Sequence, residues 1–276
     1  MVIKIAEKAG FCFGVKRAVD MAMDYTDGHE SLLSLGQLIH NDQVTNRLEA
    51  QGLKKIDSLD NVYDETVLIR SHGVGKQIYE QSKKHGIELL DSTCPFVKKV
   101  HRIVDEYYTN GYQIIIVGNS EHPEIVGING WCNNDALIVD SAEMLPVLKK
   151  GTYCLVAQTT LKLSIWNDVV DKVKSFDVEA EYFNTICSAT AERQRSAMKL
   201  APEVDLMIVV GGYHSSNTRK LYEICSTLCE ETIHVEKKSD LVMTNVDKYV
   251  MIGITAGAST PDWVIEEIVD HLKSMQ

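Results

Sequence analysis

Three cysteines each stand where a short apolar run gives way to a helical pattern, and they are spaced by about a third of the 276-residue chain. Cys12 follows VIKIAEKAGF and leads into FGVKRAVDMAMDY. Cys94 follows IELLDST and leads into PFVKKVHRIVDEYY. Cys187 follows AEYFNTI and leads into SATAERQRSAMKLA. The first two share the pattern C-x-x-V-K. The chain is therefore expected to hold three similar lobes, 12–93, 94–186 and 187–276, each presenting one thiol at a helix start. Free N–H groups and the helix dipole favour a thiolate there. Three thiolates in matching positions point to one shared metal site.

Charge and composition narrow the partners. A net charge of −11 argues against a nucleic-acid or anionic-membrane partner, because phosphate binding needs a basic face. No apolar run approaches the roughly 18 residues of a membrane span. The N-terminal MVIKIAEKAGFC lacks the basic-then-apolar plan of a secretory leader, so a cytoplasmic location is expected. In a reducing compartment the seven cysteines should be free thiols or metal ligands, not disulfides.

The lobes share one order of elements. After each key cysteine comes a helix, then an apolar strand (32–36, 113–118, 206–211), then a polar loop: QLIHN (37–41), NSEHPE (119–124) or GYHSSN (212–217). A further helix follows, then a second strand (67–70, 155–158, 249–254) and a second loop: SHGVG (71–75), QTTLK (158–162) or TAGAST (255–260). Apolar strands alternating with helices predict α/β architecture with parallel sheets covered on both faces. In such sheets ligands bind beyond the carboxyl ends of the strands, where both loops and the cysteine of each lobe lie. The strand before Cys94 belongs to lobe one and that before Cys187 to lobe two. By analogy the N-terminal segment 1–11 should complete the sheet of lobe three.

The residue types in these loops suit an anionic ligand. His40, His72 and His122 occupy strand-end loops, and imidazolium groups with small hydroxyls at helix starts match diphosphate oxygens. Ser215, Ser216 and Asn217 offer the same chemistry from lobe three, as does Ser259 before Thr260-Pro261. Helix capping uses the same free N–H groups, so residue type alone leaves capping and anion binding both open for each Ser, Thr or Asn. Glu124, in HPE, is the carboxylate nearest a histidine loop and fits a general acid; the alternative is a first-turn Glu complementing the helix dipole. Thr159 and Thr160 could relay a proton or cap. Cys132, Cys154, Cys225 and Cys229 lack the repeat context and are assigned to core packing, with Cys225 and Cys229 one turn apart on an expected helix. A closed zinc site takes four ligands or three plus water. Three thiolates without a fourth in register fit better a 4Fe–4S cluster with one iron open, able to act as a Lewis acid and to pass electrons.

The strings GFCFGVKRAV, LIHN, SHGV, DSTCPFVKKVH, HPEIVGINGW, QTT, NTICSATAERQ, SSNT and GASTP resemble those of the 4-hydroxy-3-methylbut-2-enyl diphosphate reductases, in family order from residue 10 to 261. That resemblance implies a pseudo-threefold trefoil of three α/β lobes around a central iron–sulfur cluster. It implies Cys12, Cys94 and Cys187 as cluster ligands, with the fourth iron open to substrate. It further implies His40, His72, His122, Ser215, Ser216, Asn217 and Ser259 as the diphosphate pocket, Thr159 beside the substrate hydroxyl, and Glu124 as proton donor. The implied reaction of the methylerythritol phosphate route removes the allylic hydroxyl as water with two electrons and two protons. Its products are isopentenyl and dimethylallyl diphosphate. The implied partners are the allylic diphosphate and an electron donor such as ferredoxin or flavodoxin. One departure is visible: Tyr213-His214 stands where Lys-Asn is expected. A three-lobed enzyme resembling quinolinate synthase would need arginines in these loops to hold a dicarboxylate. An iron–sulfur sensor would not need Glu124 and the hydroxyl array.

Overall fold

The computed structural model describes every residue except Glu30, His40, Thr244, Asn245 and Gln276. In chain order β1 (Val2–Ile5) precedes α1 (Phe13–Gly28), β2 (Leu32–Leu35), α2 (Asp42–Ala50), β3 (Leu53–Ile56), β4 (Thr66–Ile69), α3 (Lys76–Lys84) and β5 (Glu88–Asp91). The same succession recurs as α4 (Pro95–Thr109), β6 (Gln113–Val117), α5 (Pro123–Asn129), β7 (Leu137–Val139), β8 (Thr152–Ala157), α6 (Leu163–Lys174) and β9 (Glu179–Phe183). It recurs again as α7 (Ser188–Leu200), β10 (Leu206–Val210), α8 (Ser216–Ser226), β11 (Thr232–Val235), β12 (Met251–Ala256) and α9 (Asp262–Ser274). The last strand position of this third repeat is filled by β1, which pairs with β12 from Val2 against Met251 to Ile5 against Ile254.

Three four-stranded sheets result, ordered β3-β2-β4-β5, β7-β6-β8-β9 and β11-β10-β12-β1, so strand order repeats along with sequence order. Every pairing among the described residues is parallel. The fold is α/β with three equivalent sheets. Two compact units emerge: Met1–Lys16 with Ile39–Leu48 and Ser188–Gln276, which holds one sheet, and Arg17–Leu38 with Glu49–Cys187, which holds two.

The central strands are buried almost throughout because helices cover both faces. In the first unit Ile208 and Val210 pack with Val264, Ile265 and Ile268 of α9. Met207 and Val209 pack with Ala197 and Leu200 of α7 and Leu221 and Cys225 of α8. The alternation follows from the strand's period of two. Each such fully buried aliphatic side chain contributes roughly 1.5–3 kcal/mol. Helices supply the matching stripes: Trp166, Val169, Val170 and Val173 in α6, and Val97, Val100, His101 and Val104 in α4.

Three strands were not anticipated from sequence. β3, β7 and β11 each close one edge of a sheet. They are short, and β3 carries Lys54 and Lys55, both exposed. An edge strand needs little apolar character and often carries charge that discourages further pairing, so it leaves no apolar run. Cys229 is also revised: α8 ends at Ser226, and Cys229 lies beyond it, its N–H bonded to the Cys225 carbonyl at 2.8 Å. Among the described residues no helix is long and apolar enough to cross a membrane.

Candidate active site

Each of the three cysteines stands immediately before a helix: Cys12 before α1, Cys94 before α4 and Cys187 before α7. Cys94 and Cys187 lie a few residues past β5 and β9, whereas Cys12 lies well past β1, so it does not close its strand directly. The backbone nonetheless treats all three alike. The Cys12 N–H donates to the Ala258 carbonyl (3.1 Å), that of Cys94 to Ser71 (3.0 Å) and that of Cys187 to Thr159 (3.0 Å). The acceptors occupy equivalent loops, just after β12, β4 and β8. Each thiol is thus fastened by one bond to a loop carrying a candidate substrate residue: Ser259, His72 or Thr159.

The cysteines divide by environment. Cys12, Cys94 and Cys187 are partly accessible, while Cys132, Cys154, Cys225 and Cys229 are buried. Burial pushes the Cys132 thiol up to about 11 and those of Cys154 and Cys225 up to about 12, which keeps them protonated core groups. At Cys12 the Val15 N–H donates to Sγ at 3.4 Å, the contact a thiolate at a helix start accepts. Partial exposure at a helix start suits each of Cys12, Cys94 and Cys187 to bind iron, and sets them apart from the buried thiols. Among the described residues no three His, Cys, Asp or Glu side chains are close enough to share a single metal ion.

The first loops of the lobes share a second device. Asn41 Oδ1 accepts the Val44 N–H (3.3 Å), His122 Nδ1 accepts the Glu124 N–H (3.1 Å), and Ser215 Oγ accepts the Thr218 N–H (3.3 Å). These residues cap α2, α5 and α8. At His122 the cap engages Nδ1, so any contact to a ligand would come through Nε2. The His122 and His72 rings meet edge to face at 5.4 Å. His40 lies outside the described residues. Asn217, in the first turn of α8, is 4% exposed, and neither its amide nitrogen nor its amide oxygen has a hydrogen-bond partner among the described residues. A buried amide in that state costs free energy unless a ligand completes it. Ser216 is half-buried and Ser259 buried.

Glu124 and Thr159, both buried, form a pair joined twice. The Thr159 N–H donates to Oε1 at 2.6 Å and its hydroxyl donates to Oε2 at 2.7 Å. Glu124 is placed by the first turn of α5, where Pro123 fixes the entry and a carboxylate is favoured by the dipole. Both of its oxygens accept bonds from one residue, so the carboxyl plane is fixed. If Oε2 carries a proton, its bond to Thr159 reverses, and the threonine hydroxyl then points its own proton onward. The pair has the arrangement that a two-member proton relay needs.

Two buried or half-buried arginines were not singled out in the sequence. Arg17 of α1 donates to the carbonyls of Thr93 (3.4 Å) and Asp91 (3.3 Å), the segment before Cys94. Arg193 of α7 donates to the Gly10 carbonyl (2.9 Å), the segment before Cys12. Their signal was their place one and a half turns after a key cysteine. Tyr213, in the departure from the family pattern, donates its N–H to Glu236 (2.6 Å) and rests its ring on His234 at 4.6 Å.

Residues 3–273 match the model of the LytB protein family. The chain belongs to that family. LytB relatives are named as 4-hydroxy-3-methylbut-2-enyl diphosphate reductases. One from Clostridioides difficile (strain 630) is 47% identical over 280 residues and 100% of both chains. One from Caldanaerobacter subterraneus subsp. tengcongensis is 48% identical over 284 residues, covering 100% of this chain and 98% of its own. Among solved structures, the Plasmodium falciparum E-1-hydroxy-2-methyl-but-2-enyl-4-diphosphate reductase is similar with a TM-score of 0.89 at 30% identity, covering 99% of this chain and 88% of that one. A reductase described as the terminal enzyme of the non-mevalonate pathway is similar with a TM-score of 0.74 at 40% identity, covering 99% and 100%. This LytB chain is thus an enzyme of the reductase class.

Proposed function

We propose that the chain reduces 4-hydroxy-3-methylbut-2-enyl diphosphate to isopentenyl and dimethylallyl diphosphate. Two electrons and two protons are consumed, the allylic C–O bond breaks, and the hydroxyl leaves as water. The observation that carries this is the doubly bonded Glu124–Thr159 pair, whose Thr159 carbonyl also holds the Cys187 N–H. A reductive dehydroxylation requires a proton source near the reduced centre, and this pair supports that reading.

The lobes 12–93, 94–186 and 187–276 would each give one ligand, Cys12, Cys94 and Cys187, to a 4Fe–4S cluster. When bound, that cluster supplies the electrons and an open iron that draws charge from the leaving oxygen. The chain's own residues do the rest. Thr159 Oγ1 receives a proton from Glu124 Oε2 and passes its own to the departing oxygen. His40, His72, His122, Ser215, Ser216, Asn217 and Ser259 hold the diphosphate, with Asn217 donating from its buried amide. Imidazole, hydroxyl and amide donors at helix starts suit a multiply charged anion. The cytoplasm suits the reaction because thiols stay reduced there. A ferredoxin or flavodoxin matches the need for low-potential single electrons.

Reconstituted anaerobically and supplied with dithionite and a mediator, the chain is expected to convert the hydroxylated allylic diphosphate to both products. An intact cluster with no product would sink the proposal. Within it, Thr159→Val keeps the backbone bond to Glu124 but loses the hydroxyl. Turnover should drop roughly 10- to 100-fold, the value of one hydrogen bond to a charged group. Thr159→Ser should restore most of it, and equal rates for Val and Ser would remove the hydroxyl from the proton path.

A further inference from the structure

The loop that carries His72 is moulded onto a buried histidine that the reaction does not use. Gly73 has φ +73°, and a Cβ built there would lie 2.5 Å from Cε1 and 3.1 Å from Nε2 of His101. His101 belongs to the buried stripe of α4 and is 2% exposed. Its Nε2 has no hydrogen-bond partner among the described residues. Burial pushes its pKa down to about 4, so the ring is neutral. It stacks on Trp131, centroids 5.1 Å apart and planes at 21°. Trp131 in turn donates its Nε1–H to the Val74 carbonyl at 2.9 Å, one residue past Gly73.

The other side of the same loop meets backbone. A Cβ at Gly127 of α5 would lie 3.2 Å from the Gly73 carbonyl oxygen, and one at Gly130 would lie 2.6 Å from Gly75 Cα. Glycines at 73, 127 and 130 thus let the loop press directly on the His101 ring from one side and on the α5 backbone and the turn after it from the other. α5 carries His122 and Glu124 at its start, and Glu124 is fixed separately by Thr159. The clasp therefore governs where His72 stands against His122, while Glu124 keeps its own anchor. A leucine at 101 would lose the flat stack, and a phenylalanine would push into Gly73.

We propose that His101, stacked on Trp131, is a positioning residue that sets His72 against His122 and so tunes affinity for the diphosphate end of the substrate without touching it. This rests on the proposed placement of His72 in the diphosphate pocket. The test compares His101→Leu, Trp131→Phe, His72→Ala and the His101→Leu/His72→Ala double variant. Each is checked for folding by circular dichroism and for cluster content by its absorption. The readings are KM for the allylic diphosphate, kcat, and the Kd of inorganic diphosphate by calorimetry. His101→Leu is expected to raise KM and the diphosphate Kd roughly tenfold, as loss of a well-placed donor to a charged group does. Its kcat should stay within about twofold, marking loss of binding common to ground and transition states. In the His72→Ala background His101→Leu should add nothing. Unchanged affinity in folded His101→Leu overturns the proposal, as does a fall in kcat alone or a fully additive double variant. If His72→Ala itself leaves diphosphate affinity unchanged, the assignment of His72 fails and the proposal with it. If His72→Ala weakens binding and His101→Leu does not, only the positioning role fails. Should His101→Leu not fold, Trp131→Phe decides by the same readings, since it keeps the ring and removes the bond to Val74.

Discussion

Glu124→Gln is expected to lower turnover by roughly 10²–10⁴-fold, the range a positioned general acid supplies, while bound iron and substrate KM stay near those of the parent chain. Glutamine has the shape of glutamate, so the buried site keeps its volume. Its Oε1 can still accept the Thr159 N–H that now donates at 2.6 Å. Its amide nitrogen, however, faces Thr159 Oγ1 and can only donate. The threonine hydroxyl must then accept at the contact where it now donates at 2.7 Å, and the pair no longer holds an acid to replace the proton that Thr159 gives up. Single-turnover measurement on pre-reduced enzyme separates this from slow electron delivery. A near-normal rate would exclude Glu124 from the proton path.

The second large effect concerns the thiols. Cys12→Ser, Cys94→Ser and Cys187→Ser should each lose most of their iron and sulfide on anaerobic purification, because a serine hydroxyl stays protonated and is a poor ligand for iron. Cys132→Ala, Cys154→Ala, Cys225→Ala and Cys229→Ala should keep a full complement. They should instead lose stability, by roughly 0.5–3 kcal/mol, through small core voids. Iron analysis alongside thermal melts reads both outcomes. A fully occupied cluster in all three serine variants would refute the ligand assignment. Iron loss on replacing a core thiol would show that burial does not separate the two classes.

The sequence shows the fold where apolar character is concentrated. IIIV at 114–117 and LMIVV at 206–210 become central strands because both faces are covered. LKKI at 53–56 is also a strand, but it sits at an edge, and exposed lysines hide it. The repeated cysteines are legible because chain spacing alone reveals them. The loop residues are harder, since capping and ligand binding use the same chemistry. Only the partner atoms divide them: Asn41, His122 and Ser215 are occupied as caps, whereas the Asn217 amide has no protein partner among the described residues. Glu124 and Thr159 could be singled out one by one, but not their bond. It joins two strand ends 35 residues apart and depends on the register of β6 with β8. Nothing in PFVKKVHRIV sets His101 apart, and its meaning appears only when Gly73 lands on it.

The pairing of β1 with β12 joins strands far apart in the sequence, Val2 lying against Met251 and Ile5 against Ile254. The other two sheets are assembled from neighbouring segments, whereas the third completes its edge only through this long-range pairing. Contacts of such sequence separation slow folding and lengthen the time an open strand edge is exposed. Cys12 lies just past β1, and its N–H is bound by Ala258, just past β12. Its helix start therefore depends on the same distant closure, so displacing β1 would loosen the backbone at Cys12.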